Sequence, residues 1–307
     1  LLYNCFKSGK GEIKLKNIIR SFPAEITNLG ISSQDFNINY ARTIPGERAE
    51  YYELQIHDLY EIYYFIEGDV SYHIEGHVYQ VKPGDTLLIN NKEMHKPVFN
   101  SQKEYERITA HFAPWYFSKY NRDDFNILKC FENRKSGYFN LIPAQRAEKY
   151  NIDSYYEQIK SYLAKEEKGK GIMLESLFVQ LLYLLNKAFV KDDKLNEGSI
   201  EYNEKITKVI EYINKNLEKK FSLDDIAREF YLDKYYLSHL FKENAGFSII
   251  QYINYKKIMK AKELLARDYS CSMVAEKLKF GNYSHFYKQF SKEVGLSPSK
   301  YQKKSLL

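Results

Sequence analysis

The chain has 307 residues, 44% hydrophobic and 28% charged, enough for two cores and ordinary for a soluble globular protein. No run approaches 18 apolar residues and the first residues lack the apolar core of a signal peptide, which argues against a membrane span and against secretion. The net charge of +6 is uneven: residues 204–307 hold 20 Lys+Arg against 12 Asp+Glu, whereas residues 1–203 hold 26 against 28. A basic segment attached to a near-neutral one is the electrostatic footprint of a nucleic-acid-binding module, although a solvated Lys-rich face would look the same.

Leu1 is not an initiator methionine, so the natural start is expected upstream. Cys5, Cys130 and Cys271 are odd in number and without metal-type spacing, which fits a reducing cytoplasm with no structural disulfide. Residues 35–112 read as β-rich. Strands are expected at 35–43, 54–66, 70–74, 77–81, 86–89 and 105–112, separated by turn signals such as Glu75-Gly76 and Pro83-Gly84-Asp85. Many short strands of this kind suggest a small barrel or jelly roll. Trp115 is expected to pack at the barrel's end.

After Pro114 the pattern turns helical, over 144–167 and 171–190. The second stretch is apolar on more than one face, so it is expected to serve as a core helix, as a subunit interface, or as both with one on each face. Residues 191–203 are charged and poor in large apolar residues, which reads as a linker. A helix over 205–217 follows, with Ile206, Val209, Ile210 and Ile213 on one stripe.

Two copies of a helix-turn-helix pattern then lie in register. Phe241 and Phe290 are 49 residues apart, as are Gly246 and Gly295, and Ser248 and Ser297; Ile226-Ala227 and Val274-Ala275 are 48 apart. Two copies joined by one long helix are a far stronger signal than one. Recognition helices are expected at 234–244 and 283–294. Lys234, Tyr235, Ser238, His239 and Lys242 then face outward on the first, and Tyr283, Ser284, Tyr287, Lys288 and Ser291 on the second.

The stretches Tyr236–Lys242, Gly246-Phe247-Ser248, Ala261–Leu265, Phe286–Phe290 and Gly295–Tyr301 resemble the AraC/XylS family of transcription regulators over about 100 residues. The resemblance implies double-stranded DNA as partner, with the two recognition helices entering successive major-groove segments and Tyr235, Ser238, His239, Tyr283, Ser284, Tyr287 and Lys288 at base-reading positions. Packing of Tyr235 and Tyr283 on sugars is the open alternative. Lys279 stands where the family usually has Gly, Gln302 where it has Arg, and His239 where Arg is common. Without that Arg the first helix lacks a bidentate guanine contact, so readout through DNA shape and thymine methyls is expected there.

The order His57-Asp58-Leu59-Tyr60-Glu61, Gly68, Pro83-Gly84-Asp85, Glu93-Met94-His95 resembles a cupin barrel, of the sensory kind that precedes the DNA module in many family members. Three of the four metal positions of metal-binding cupins are matched by His57, Glu61 and His95, but the first is Gln55, a poor ligand for a transition metal; no metal and no cofactor are assigned. Gln55, His57, Glu61 and Tyr63 share strand parity and, with His95 and Arg42, form the expected pocket for a small polar effector such as a sugar.

The expected architecture is α+β and multidomain. A cupin-like sensing and dimerisation domain spans 1–190 (barrel about 35–115, helices about 116–190), the linker 191–203, and an all-α double helix-turn-helix domain 204–307. The expected function is a cytoplasmic, homodimeric, ligand-responsive transcription regulator that is not an enzyme and has no membrane partner. The alternatives are a cupin metalloenzyme fused to a DNA-binding tail, and a regulator whose barrel only dimerises.

Overall fold

A computed structural model of the protein describes residues 24–33, 35–45, 58–189 and 200–305. The β-rich part contains β1 (Ala24–Ser32), β2 (Phe36–Ile44), β3 (Tyr60–Glu67), β4 (Val70–Ile74), β5 (His77–Gln80), β6 (Thr86–Ile89), β7 (His95–Phe99) and β8 (Tyr105–Phe112). The short helices α1 (Pro114–Ser118) and α2 (Lys129–Glu132) follow, then β9 (Leu141–Ile142), α3 (Ala144–Glu148), α4 (Ile152–Ala164), α5 (Lys170–Ala188) and β10 (Ile200–Tyr202). All strand pairing is antiparallel, in a six-stranded sheet ordered β1-β2-β8-β3-β6-β9 and a four-stranded sheet ordered β10-β5-β4-β7.

The central strand β3 is buried on both faces, which explains why it reads Tyr-Glu-Ile-Tyr-Tyr-Phe-Ile-Glu without clean polar alternation. Tyr60, Ile62 and Tyr64 point to one face, where Ile108, Ala110 and Phe112 join them against α4 and α5. Tyr64 stacks on Tyr156 with centroids 3.8 Å apart. Tyr63 and Phe65 point to the other face and pack with Tyr72, Tyr79, Leu87 and Tyr105 inside the barrel.

The crowded apolar helix is α5, and its two faces have different fates. Leu174, Leu177, Phe178, Leu181, Leu182 and Leu185 are buried in the domain core, while Ile172, Met173 and Tyr183 remain exposed. The expected continuous helix over 144–167 is instead α3 and α4. Asn151 adopts φ 53°, outside the helical region, and divides them. Trp115 does not pack at the barrel's end: it is 63% exposed at the start of α1.

The helical part runs α6 (Glu204–Lys215), α7 (Leu223–Glu229), α8 (Lys234–Ala245), α9 (Ile249–Ala266), α10 (Cys271–Lys277), α11 (Tyr283–Val294) and α12 (Pro298–Ser305). Ile206, Val209, Ile210 and Ile213 are buried as their spacing requires. Two cores form along α9. The first gathers residues of α6, α7 and α8 and also takes in Met94 from the barrel; the second gathers α10 and α11 around Phe286 and Phe290. A β-rich part with appended helices followed by an all-helical part is the α+β arrangement expected from the sequence.

Candidate functional site

The two helix-turn-helix units are built by matching local devices. Ser222 caps α7 in a capping box with Asp225, and Ser270 caps α10 by accepting from the Met273 amide. Tyr231 and Lys279, 48 residues apart, both take left-handed turn conformations, at φ 54° and 55°. Lys279 thus occupies the very backbone state that makes Gly the usual residue there. Asp233 then accepts from the Tyr235 and Tyr236 amides to start α8, and Asn282 accepts from the His285 amide to start α11. Gly246 and Gly295 end these helices at φ 80° and 73°.

These caps fix which side chains face out. In α8, Leu237, Phe241 and Ala245 are buried, leaving Tyr235 75% exposed and His239 and Lys242 open to solvent. Ser238 is half-buried, with its Oγ donating to the Lys234 carbonyl. Lys234 lies 3.2 Å from Asp224, so its charge is partly engaged within the protein. In α11, Phe286 and Phe290 are buried and Tyr283, Ser284, Tyr287 and Lys288 are all exposed. Tyr236, 52% exposed beside Tyr235, was not among the expected readers. The 18-residue α9 separates the units by about 27 Å of helix, and a Lys277–Glu218 pair at 3.0 Å braces one against the other.

Inside the barrel, the expected pocket residues divide. Gln55 and His57 lie outside the described residues. Glu61, Tyr63 and His95 come together on the interior face, each almost fully buried. Arg42 does not join them: it has the opposite parity on β2 to the interior residues Asn39 and Thr43, and pairs with Glu104. Alternation along the strand sends Arg42 toward the helix-facing side.

Glu61 is the centre of the cluster. Its Oε2 lies 2.9 Å from His95 Nε2 and 3.3 Å from His111 Nε2, and its Oε1 accepts from the Tyr72 hydroxyl at 3.3 Å. Burial by itself would depress the His95 imidazolium, but the adjacent Glu61 carboxylate more than offsets this and raises its pKa. Burial chiefly, and then Glu61, push the Tyr72 phenol up, keeping it a neutral donor. Further along the same face Arg107 donates to Thr43 Oγ1, and Asn39 Oδ1 is buried without a hydrogen-bond partner among the described residues. Such a set of a carboxylate, imidazoles, phenols and an open amide oxygen suits multidentate hydrogen bonding to a polar solute.

His111, Tyr72 and Arg107 were not foreseen. Strand parity in 105–112 places Arg107 and His111 on one face, but only the β3–β8 register brings His111 opposite Glu61. Among the described residues no group of three His, Cys, Asp or Glu side chains is arranged to hold a metal ion.

Residues 38–182 match the profile of the AraC-like ligand binding domain, and residues 226–304 match that of a helix-turn-helix domain. The regulatory protein PocR of Salmonella typhimurium is 31% identical over 126 residues, which are 38% of this chain and 42% of PocR. The uncharacterized HTH-type transcriptional regulator YtdP of Bacillus subtilis is 34% identical over 118 residues, 37% of this chain and 15% of YtdP. The chain therefore spans less than half the length of either relative. Among solved structures, an apo ToxT variant from Vibrio cholerae is similar at a TM-score of 0.36 and 15% identity, over 89% of this chain and 98% of that one.

Proposed function

Because the chain belongs to the AraC/XylS family of transcription regulators, with a ligand-binding domain followed by a helix-turn-helix domain, we propose that it reads specific DNA sequences through α8 and α11 under control of a small polar effector held in its barrel. The observation that carries the DNA-reading half is the exposure of the N-terminal turns of both recognition helices, with Tyr235, His239, Tyr283, Tyr287 and Lys288 outward. No helix among the described residues is long and apolar enough to cross a membrane, and a regulator that reads DNA in this way works at the chromosome, in the cytoplasm.

The sensing half is supported by Glu61. A buried carboxylate surrounded by neutral and cationic donors recognises hydroxyl-rich solutes, and a sugar is the class that fits best. The test is thermal unfolding against a panel of sugars and sugar acids. A ligand at about 100 times its Kd stabilises by about 2.7 kcal/mol, a rise of several degrees. The rise should vanish in Glu61→Gln. A panel with no response, or a response that Glu61→Gln retains, refutes a Glu61-centred sugar pocket.

The protein acts as a homodimer through its 144–190 helices. Ile172, Met173 and Tyr183 on the outer side of α5 are apolar and exposed, on a helix whose other side is already satisfied by the core. Sedimentation at micromolar concentration should show a dimer that Tyr183→Glu weakens. A monomer at that concentration removes this assignment.

A further inference from the structure

We propose that Glu75 is the positioning residue of a buried latch holding the first helix-turn-helix unit to the barrel, and that the segment Glu93-Met94-His95 ties this latch to the barrel interior. Glu75 lies in the two-residue turn between β4 and β5 and is 2% exposed. Its Oε1 is 2.8 Å from Lys256 Nζ and accepts from the Met94 amide at 2.7 Å; its Oε2 accepts from the Tyr252 hydroxyl at 2.7 Å. Asn214 of α6 donates to that same hydroxyl at 2.8 Å. Lys256 also donates to the Lys92 carbonyl at 2.7 Å. Two side chains of α9 thus meet one barrel turn, and a third, from α6, holds one of them in place.

Packing around the latch is close. A Cβ on Gly76, next to Glu75, would sit 2.4 Å from Ile210 Cδ1 of α6. Met94 is fully buried in the core of the first helix-turn-helix unit. His73 Nδ1 meets the Asn244 carbonyl near the end of α8 at 2.8 Å. A lysine and a glutamate taken out of water at a junction between domains hold only in a narrow geometry, which apolar contacts alone would not impose.

The link to the interior is the alternation of three consecutive residues. Glu93 turns inward to Arg134 at 2.6 Å, Met94 crosses to the helical side, and His95 turns inward to Glu61. The Met94 amide that Glu75 holds therefore sits one residue from the imidazole that Glu61 holds. Displacement of His95 pulls on the Glu75 carboxylate through a single peptide unit. The N-terminal turns of α8 and α11 stay exposed with the latch closed, so it governs the orientation of the DNA-reading unit rather than access to it.

This inference deepens the proposed sensing role and rests on it only for its use, since the latch can be read without DNA or effector. The experiment is hydrogen exchange on the full chain, comparing the wild type with Glu75→Gln and His95→Gln. Glu75→Gln leaves the Lys256 ammonium buried without its counter-charge and should speed exchange in the C-terminal half of α8 and the first half of α9 by more than about tenfold, with α11 unchanged. His95→Gln should speed the same α9 amides. Should His95→Gln loosen β3 and β7 while α8 and α9 keep wild-type rates, the link is overturned; wild-type rates in Glu75→Gln overturn the latch. If Glu75→Gln loosens the whole molecule, the double variant Glu75→Gln with Lys256→Met, which removes both charges, decides: faster exchange confined to α8 and α9 supports the latch, and uniform or unchanged exchange refutes it. A failed effector screen would leave these rates untouched and count against sensing alone.

Discussion

Replacing Glu93 with glutamine is expected to destabilise the barrel by about 3–5 kcal/mol, a fall in Tm on the order of 10 °C. Glu93 and Arg134 are both fully buried, and their two contacts are each 2.6 Å. The remaining lone pairs of the carboxylate accept from the amides of Asn90 and Gly137 and from Asn140 Nδ2. Arg134 in turn spends its other donors on the carbonyls of Cys130, Leu88 and Tyr138. Glutamine would leave a guanidinium in the interior without its counter-charge, which costs far more than the pair contributes when intact. A double variant with Arg134→Met should recover part of the loss.

Acid gives a second view of the same pair. Burial would raise the Glu93 carboxyl, but Arg134 and the amide donors hold it below the usual carboxylate range. Its folded pKa being depressed, the stabilisation is present above the unfolded value of about 4.3 and is lost as pH falls through the lower folded one. The gap between wild type and Glu93→Gln should therefore narrow as pH falls below about 4. Urea melts at neutral and acid pH measure it. A single variant that melts within about 2 °C of wild type at neutral pH would show that the pair is not the buried anchor its geometry describes.

Alanine at Tyr283 or Tyr287 should weaken binding to a duplex selected from a random pool by about 5- to 150-fold, matching 1–3 kcal/mol for a base contact. The loss should fall on the selected sequence and spare unrelated DNA. Alanine at Lys288 or Lys242 should instead weaken binding to every sequence and lower the slope of log affinity against log salt by about one. All four side chains are exposed, so none of these changes disturbs a core. Anisotropy titrations across a range of salt separate the two behaviours. If the tyrosine variants lose affinity equally for all sequences, those rings pack on sugars rather than read bases.

The helical half was legible in outline because its signal is a repeat. A constant offset survives in the residues whatever the exact boundaries, and α8 and α11 begin where the spacing placed them. Even the departure at Lys279 was visible as an anomaly; its cause, a left-handed turn shared with Tyr231, needed the backbone. In the barrel, parity alone brought Glu61 and Tyr63 to one face. Parity says nothing of which strands are neighbours, so His111 opposite Glu61 and Arg134 against Glu93 were out of reach. Arg42 was misplaced for a different reason: its own alternation on β2 sends it toward the helix-facing side, where it pairs with Glu104. β1 escaped notice because Asn28 and Gly30 weaken its strand pattern, and it forms as the hairpin partner of β2.

The short strand β10 makes the two halves hard to separate. Ile200–Tyr202 pair with Tyr79–His77 at the edge of the four-stranded sheet, and α6 begins two residues later at Glu204. A DNA-reading fragment excised at residue 200 would strip that edge and leave the outer side of β5 unpaired, inviting another chain to fill the gap. It would also carry away a strand with no sheet to join, whereas a cut at residue 204 leaves β10 on the barrel. The cut therefore belongs after Tyr202, and a barrel fragment that ends before β10 calls for an edge-blocking charge on β5.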